Sequence, residues 1–147
     1  MTTDEVQAYL YENIPLSRAM GIEVTTAKRQ KVVLSIPLEP NINHRETAFG
    51  GSMSAAATLA CWILLHLRLL EVPGDIRLVI HKNKVVYRSP IKGRFTAVCH
   101  LRDEAAWSHF LSMLDRWDKA KIILKSHLEY EGIQAGEFSG SFVALRA

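Results

Sequence analysis

Two periodicities of apolar residues divide this chain into helices and strands. Thr2 and Glu5 have the spacing of a capping box, and Val6, Tyr9 and Leu10 then repeat at i, i+3 and i+4. This predicts a short amphipathic helix that Pro15 ends. Gly21–Thr26 and Lys31–Pro37 read as strands; in the second, Val32, Leu34 and Ile36 share one face. A polar, irregular segment from Glu39 to Thr47 leads to Gly50-Gly51. From about Ser52 to Glu71 the residues are apolar on every side, which predicts a helix broken by Pro73-Gly74. Arg77–Arg88 is a further strand, and Phe95, Ala97, Cys99 and Leu101 alternate in the next. Asp103 caps a second amphipathic helix with Trp107, Phe110, Leu111 and Leu114 on one face. Ala120 to Tyr130 alternates strictly, Glu131-Gly132 reads as a hairpin turn, and Ile133–Leu145 is the last strand.

The order is therefore helix, two strands, long apolar helix, two strands, short helix, two strands. No clean βαβ repeat joins a strand pair, so the sheet is expected to be mostly antiparallel. A helix apolar all round must be buried, so the sheet has to wrap it. The fold class is α+β: a curved sheet around a central helix, with residues 1–147 forming one domain. A membrane span is the competing reading of Met53–Leu70. His66 and Arg68 interrupt that segment, and the uncharged part is short for a bilayer. The expected protein has no membrane partner.

Composition narrows the function classes. The net charge is +3, too mild for a nucleic-acid binder. Cys61 and Cys99 form no CxxC, and no His/Cys cluster has zinc spacing, so neither a metal site nor a cofactor is expected. The first ten residues are acidic and polar, unlike a signal peptide, and the expected setting is reducing and cytoplasmic.

Candidate chemistry gathers between Asn41 and Trp62. The first N–H groups of a helix have no partner inside it, and the helix dipole favours negative charge there. Gly50 and Gly51 carry no side chains to block approach, so this helix start suits an oxyanion. The glycines alone would equally serve a tight turn. Asn43 offers a carboxamide donor in the loop. Thr58 lies two turns into the helix, where its hydroxyl can also bond back to a helix carbonyl. Phe49 and Met53 are candidate acyl-pocket residues or plain core.

The segment NINHRETAFGGSMSAAATLACW resembles hotdog-fold proteins acting on acyl thioesters, with an Asn in the loop, a Gly-Gly helix start and a polar residue in the helix. VVYRSPIKGRF is similar to the Tyr-x-x-Pro element of that fold. Within the superfamily the chain resembles the YiiD C-terminal-domain family, labelled as thioesterases and including malonyl-acyl-carrier-protein decarboxylases. The resemblance implies catalytic roles for Asn43 and Thr58 and at least a homodimer with sites at the interface. It departs from many hotdog thioesterases at three positions. Phe49 stands where they have His, Thr58 where they often carry Asp or Glu, and Glu46 where a loop Gly is common.

Those departures bear on the reaction. Thioester hydrolysis needs an activated water or a nucleophile, and usually a carboxylate or His as base. Thr58 is a poor base, and Glu46 and His44 on the loop are the only titratable candidates nearby. Decarboxylation of a malonyl thioester activates no water and suits neutral donors. The sequence therefore favours a malonyl-ACP or malonyl-CoA decarboxylase that supplies acetyl-ACP to start fatty-acid synthesis. The alternatives are an acyl-CoA or acyl-ACP thioesterase and a non-catalytic acyl-binding module. Glu46 discriminates the first two: aimed into the pocket it favours hydrolysis, aimed at solvent it favours decarboxylation. Lys82, Lys84, Arg88, Lys92 and Arg94 form a candidate basic rim for acidic acyl carrier protein or the phosphates of coenzyme A.

Overall fold

A computed structural model describes residues 1–147 throughout. The elements in chain order are α1 (Thr3–Asn13), α2 (Pro15–Ala19), β1 (Glu23–Ala27), β2 (Lys31–Ile36), α3 (Gly50–Leu69), β3 (Ile76–Tyr87), β4 (Phe95–His100), α4 (Glu104–Trp117), β5 (Lys119–Tyr130) and β6 (Ile133–Arg146). The six strands form one sheet in the order β1-β2-β4-β5-β6-β3, and every neighbouring pair is antiparallel. The sheet curls around α3, which is the hotdog architecture. Ala56, Ala57, Ala60, Cys61, Leu64 and Leu65 of α3 are fully buried, so the helix that could pass for a membrane span is the core helix.

Alternation decides which side of each strand meets α3. On β5, Ala120, Ile122, Leu124, Ser126 and Leu128 face inward while Lys119, Lys121, Ile123 and Lys125 face outward. The one polar member of the inner row is satisfied, since Ser126 Oγ donates to Ala57 O of α3 at 2.9 Å. The hairpin between β5 and β6 turns on Glu131 (φ +51°) and Gly132 (φ +76°), the two positive φ values that a tight hairpin of this hand requires. Arg68 interrupts the apolar helix without reaching water. Its Nε donates to Arg29 O at 2.6 Å, its Nη1 donates to Glu104 at 3.1 Å, and its guanidinium lies 5.1 Å from the Trp107 ring centroid. It thereby ties the β1–β2 turn and the start of α4 to the end of α3.

Two sequence expectations are corrected at element ends. Pro15 does not end the helical region: Ile14 breaks it, and Pro15 opens α2 at the first helical position, where a missing N–H costs nothing. The long helix starts at Gly50 rather than Ser52, with Phe49 as its extended N-cap residue. Gly50 and Gly51 are therefore the first turn itself.

Candidate active site at the start of the central helix

The loop before α3 is held from both sides. Asn41 is buried, and its carboxamide donates to Met20 O at 2.9 Å and Pro37 O at 2.8 Å. Ala48 N donates to Ile91 O and Phe49 N to Asn41 O, at 2.9 and 2.7 Å. Between them Asn43 organises a tight turn. Its Oδ1 accepts from Arg45 N at 2.8 Å and Thr47 N at 3.2 Å, and its Nδ2 donates to Thr47 Oγ1 at 2.9 Å. Such local bonding is what short amide side chains do well in turns. Glu46 occupies the left-handed region (φ +61°), and both it and His44 are exposed to solvent.

The start of α3 is chemically open. Phe49 offers no side-chain cap and the first turn holds no acidic residue. Met53 N is the first helix amide bonded to the preceding chain, through Phe49 O at 3.1 Å, which leaves the amides of Gly50, Gly51 and Ser52 without a protein acceptor. Tyr87 reaches over from β3, and its hydroxyl donates to Gly50 O at 3.1 Å. A cleft of about 410 Å³ lies here between Ala48, Gly50 and Met53 on one side and Tyr87, Arg88, Ser89, Pro90 and Ile91 on the other. Its cation is Arg88, whose Nη2 donates to Glu137 at 2.8 Å. That bond holds the Glu137 carboxyl below the usual range, which makes it a weak base.

The candidate residues divide into three groups. Gly50 and Met53 share the cleft just described. Phe49 and Gly51 turn the other way and line a second cleft of about 280 Å³ with Leu16, Met20 and Pro40. Phe49 is 56% exposed, so it is neither core nor a wall of the Gly50 cleft. Asn43 and Thr58 line neither cleft. The Thr58 hydroxyl donates to Ser54 O at 2.8 Å, one helical turn back, so its proton is engaged while its lone pairs stay free. Asn43 keeps a spare donor, because its second amide hydrogen meets only Ala48 O at 3.5 Å, too long to hold it.

Two functional-cleft residues, Tyr87 and Arg88, were legible only as part of a strand-turn element. Nothing in the linear sequence joins them to Gly50, 37 positions before Tyr87; the curl of the sheet does. The candidate basic rim also comes apart. β3, which carries Lys82 and Lys84, is an edge strand, and β6 and β5 separate it from β4. Arg94, just before β4, faces Ser35 and Glu23 instead.

Comparison with solved structures places this geometry among relatives. A protein of unknown function from Chlorobaculum tepidum superposes with a TM-score of 0.91 at 30% identity, over 99% of this chain and 94% of that one. A protein from Shewanella oneidensis, described as a putative thioesterase, gives 0.80 at 26% identity over 97% and 96%. A Pseudomonas aeruginosa protein described as a probable thioesterase gives 0.84 at 19% identity over 100% and 97%, which speaks for the fold alone. The family model for the C-terminal domain of yiiD, described as a putative thioesterase, matches residues 3–146, and the chain belongs to that family.

Proposed function

We propose that this protein decarboxylates a malonyl thioester at the start of α3. The observation that carries the reading is the lack of a base in the cleft's lining, the neighbouring Glu137 being bound to Arg88 and weakened by it. That lining contains no Asp, Glu or His, and Glu46 and His44 lie in solvent. In the reaction the bond between the α-carbon and the carboxylate breaks and carbon dioxide leaves. The electron pair forms the thioester enolate, which takes a proton at carbon from water to give the acetyl thioester. Such a site needs donors for the oxyanion and a grip on the leaving carboxylate. The free amides of Gly50 and Gly51 would supply the first, each donor being worth roughly 100- to 1000-fold in rate. Arg88, in the cleft itself, is the group for the second; the spare Asn43 N–H and Thr58, which line neither cleft, would join it only in a site completed by a second copy. Thr58 would have to release Ser54 O before donating to a carboxylate. Met53 would line the acyl path, and Phe49 the second cleft beside it.

A second reading, hydrolysis of an acyl-CoA or acyl-ACP thioester, is favoured by the family description and by the relatives' names. It would need a base from outside the chain's own cleft. β3 is a twelve-residue edge strand, which supports pairing with a second copy and a site completed at that interface. The test is mass spectrometry after incubation with malonyl-ACP, then malonyl-CoA. Acetyl thioester is the expected product. Free carrier thiol with malonate would replace decarboxylation by hydrolysis. Unchanged malonyl and other acyl thioesters would leave an acyl-binding module without catalysis.

A further inference from the structure

Five of the thirteen large apolar side chains most exposed on this molecule converge on one place, far from the α3 start. Val79, Ile80, Met113, Trp117 and Leu145 line an open cleft of about 810 Å³ where β3, β6 and β5 meet the end of α4. Strand register explains its layout. Leu145 lies between Arg77 and Lys119, and Val143 between Val79 and Lys121, so β6 forms an apolar floor with the lysines of β5 along one side. His81 completes the polar lining, which contains no carboxylate. Two acids at the end of α4 pair elsewhere: Asp115 and the C-cap residue Asp118 both meet Arg146 at 3.4 Å. Arg116 lies over Trp117, 5.0 Å from the ring centroid.

We infer that this cleft binds a free long-chain fatty acid, its tail on Val143 and Leu145 beneath Trp117 and its carboxylate at Lys119 and Lys121. A volume of this size is typical of small-molecule sites. Two lysines and no carboxylate suit an anionic amphiphile better than a second copy of this basic chain, and pairing along the β3 edge would extend the sheet in its own plane without covering this floor. The site is also separate from the proposed catalytic cleft: Val79 and Tyr87 are eight residues apart on β3, about 26 Å along the strand. The inference does not rest on the reaction proposed above.

Titration of the full chain with decanoate, myristate and palmitate, below their micelle concentrations, tests it by calorimetry and by tryptophan emission. One saturable site per chain is expected, with a blue shift that Trp117→Phe removes. Affinity should rise with chain length, by at most about fourfold per added methylene. Lys119→Gln with Lys121→Gln should weaken myristate about tenfold or more and leave 1-dodecanol unaffected. Val143→Asp should abolish binding; Trp117→Ala, at a position already 59% exposed, should weaken it without disturbing the fold. Absence of a saturable site, or binding indifferent to these substitutions, would overturn the inference. So would a wild-type assembly that sediments larger than Val143→Asp, which would make the cleft an interface between copies.

Discussion

Replacing Asn43 separates two jobs that one side chain can hold. Asn43→Ala removes both Oδ1 acceptor bonds, at 2.8 and 3.2 Å, and the donor bond to Thr47 at 2.9 Å. A neutral hydrogen bond contributes roughly 1 kcal/mol net, and water can replace part of it at a half-buried site, so the loss is about 1.5 kcal/mol. Unfolding entropy of about 2.1 cal/mol/K per residue over 147 residues converts this to a fall in Tm of about 5 °C. Asn43→Asp differs in kind. A carboxylate still accepts from Arg45 N and Thr47 N, and the Thr47 hydroxyl can turn to donate to it. Tm should therefore fall by under about 2 °C by the same conversion. Its spare donor, however, is gone and a negative charge stands in its place, against an anionic substrate. The rate of acetyl-ACP formation should drop by about 100-fold or more, comparable to the loss of one preorganised donor at a charged reacting group. Differential scanning fluorimetry and a product assay by mass spectrometry read the two quantities on the same samples. Wild-type turnover in Asn43→Asp would refute a direct role for the donor. A Tm loss equal to that of Asn43→Ala would refute the turn-holding account.

Three other substitutions test separate parts of the structure. A methyl group at Gly50 would meet the Tyr87 ring at 3.5 Å, an ordinary contact, so Gly50→Ala should leave Tm unchanged or slightly higher while activity falls as the cleft narrows; equal activity would show that substrate does not approach this amide. Arg68→Ala removes a fully buried side chain and leaves Arg29 O without its 2.6 Å donor, so urea unfolding should show a loss of about 3 kcal/mol or more. His66 is half-buried in a stack with Tyr9 and Trp62, at 4.5 and 5.0 Å, and burial lowers its pKa. The unfolded imidazole gains its proton as pH falls through about 6.5 while the folded one resists. Its contribution is thus complete above that pH and lost below it, and the difference in Tm between pH 7.5 and 5.5 should shrink in His66→Phe. An unchanged difference would assign the pH response elsewhere, His100 being the other histidine with a lowered pKa.

Local chemistry alone determined most of the architecture. Periodicity located α3, α4 and the six strands, because a 3.6-residue or two-residue repeat records which side of an element is buried wherever its partner lies. The Thr2 capping box, the Asp103 cap and the Glu131-Gly132 turn were equally local, each satisfied within a few residues. Gly50-Gly51 at a helix start was legible for the same reason. Periodicity says nothing of strand order, and that order decided the functional surfaces. The crossing from β3 to β4 placed Lys82 and Lys84 on a different edge from Arg94. The curl of the sheet set Tyr87 and Arg88 against Gly50, while Phe49 lines a different cleft. It also lined up Val143 and Leu145 with lysines from another strand. Burial leaves a periodic trace among neighbours in sequence; a site is a property of distances between residues far apart in sequence, and only the packed sheet sets those.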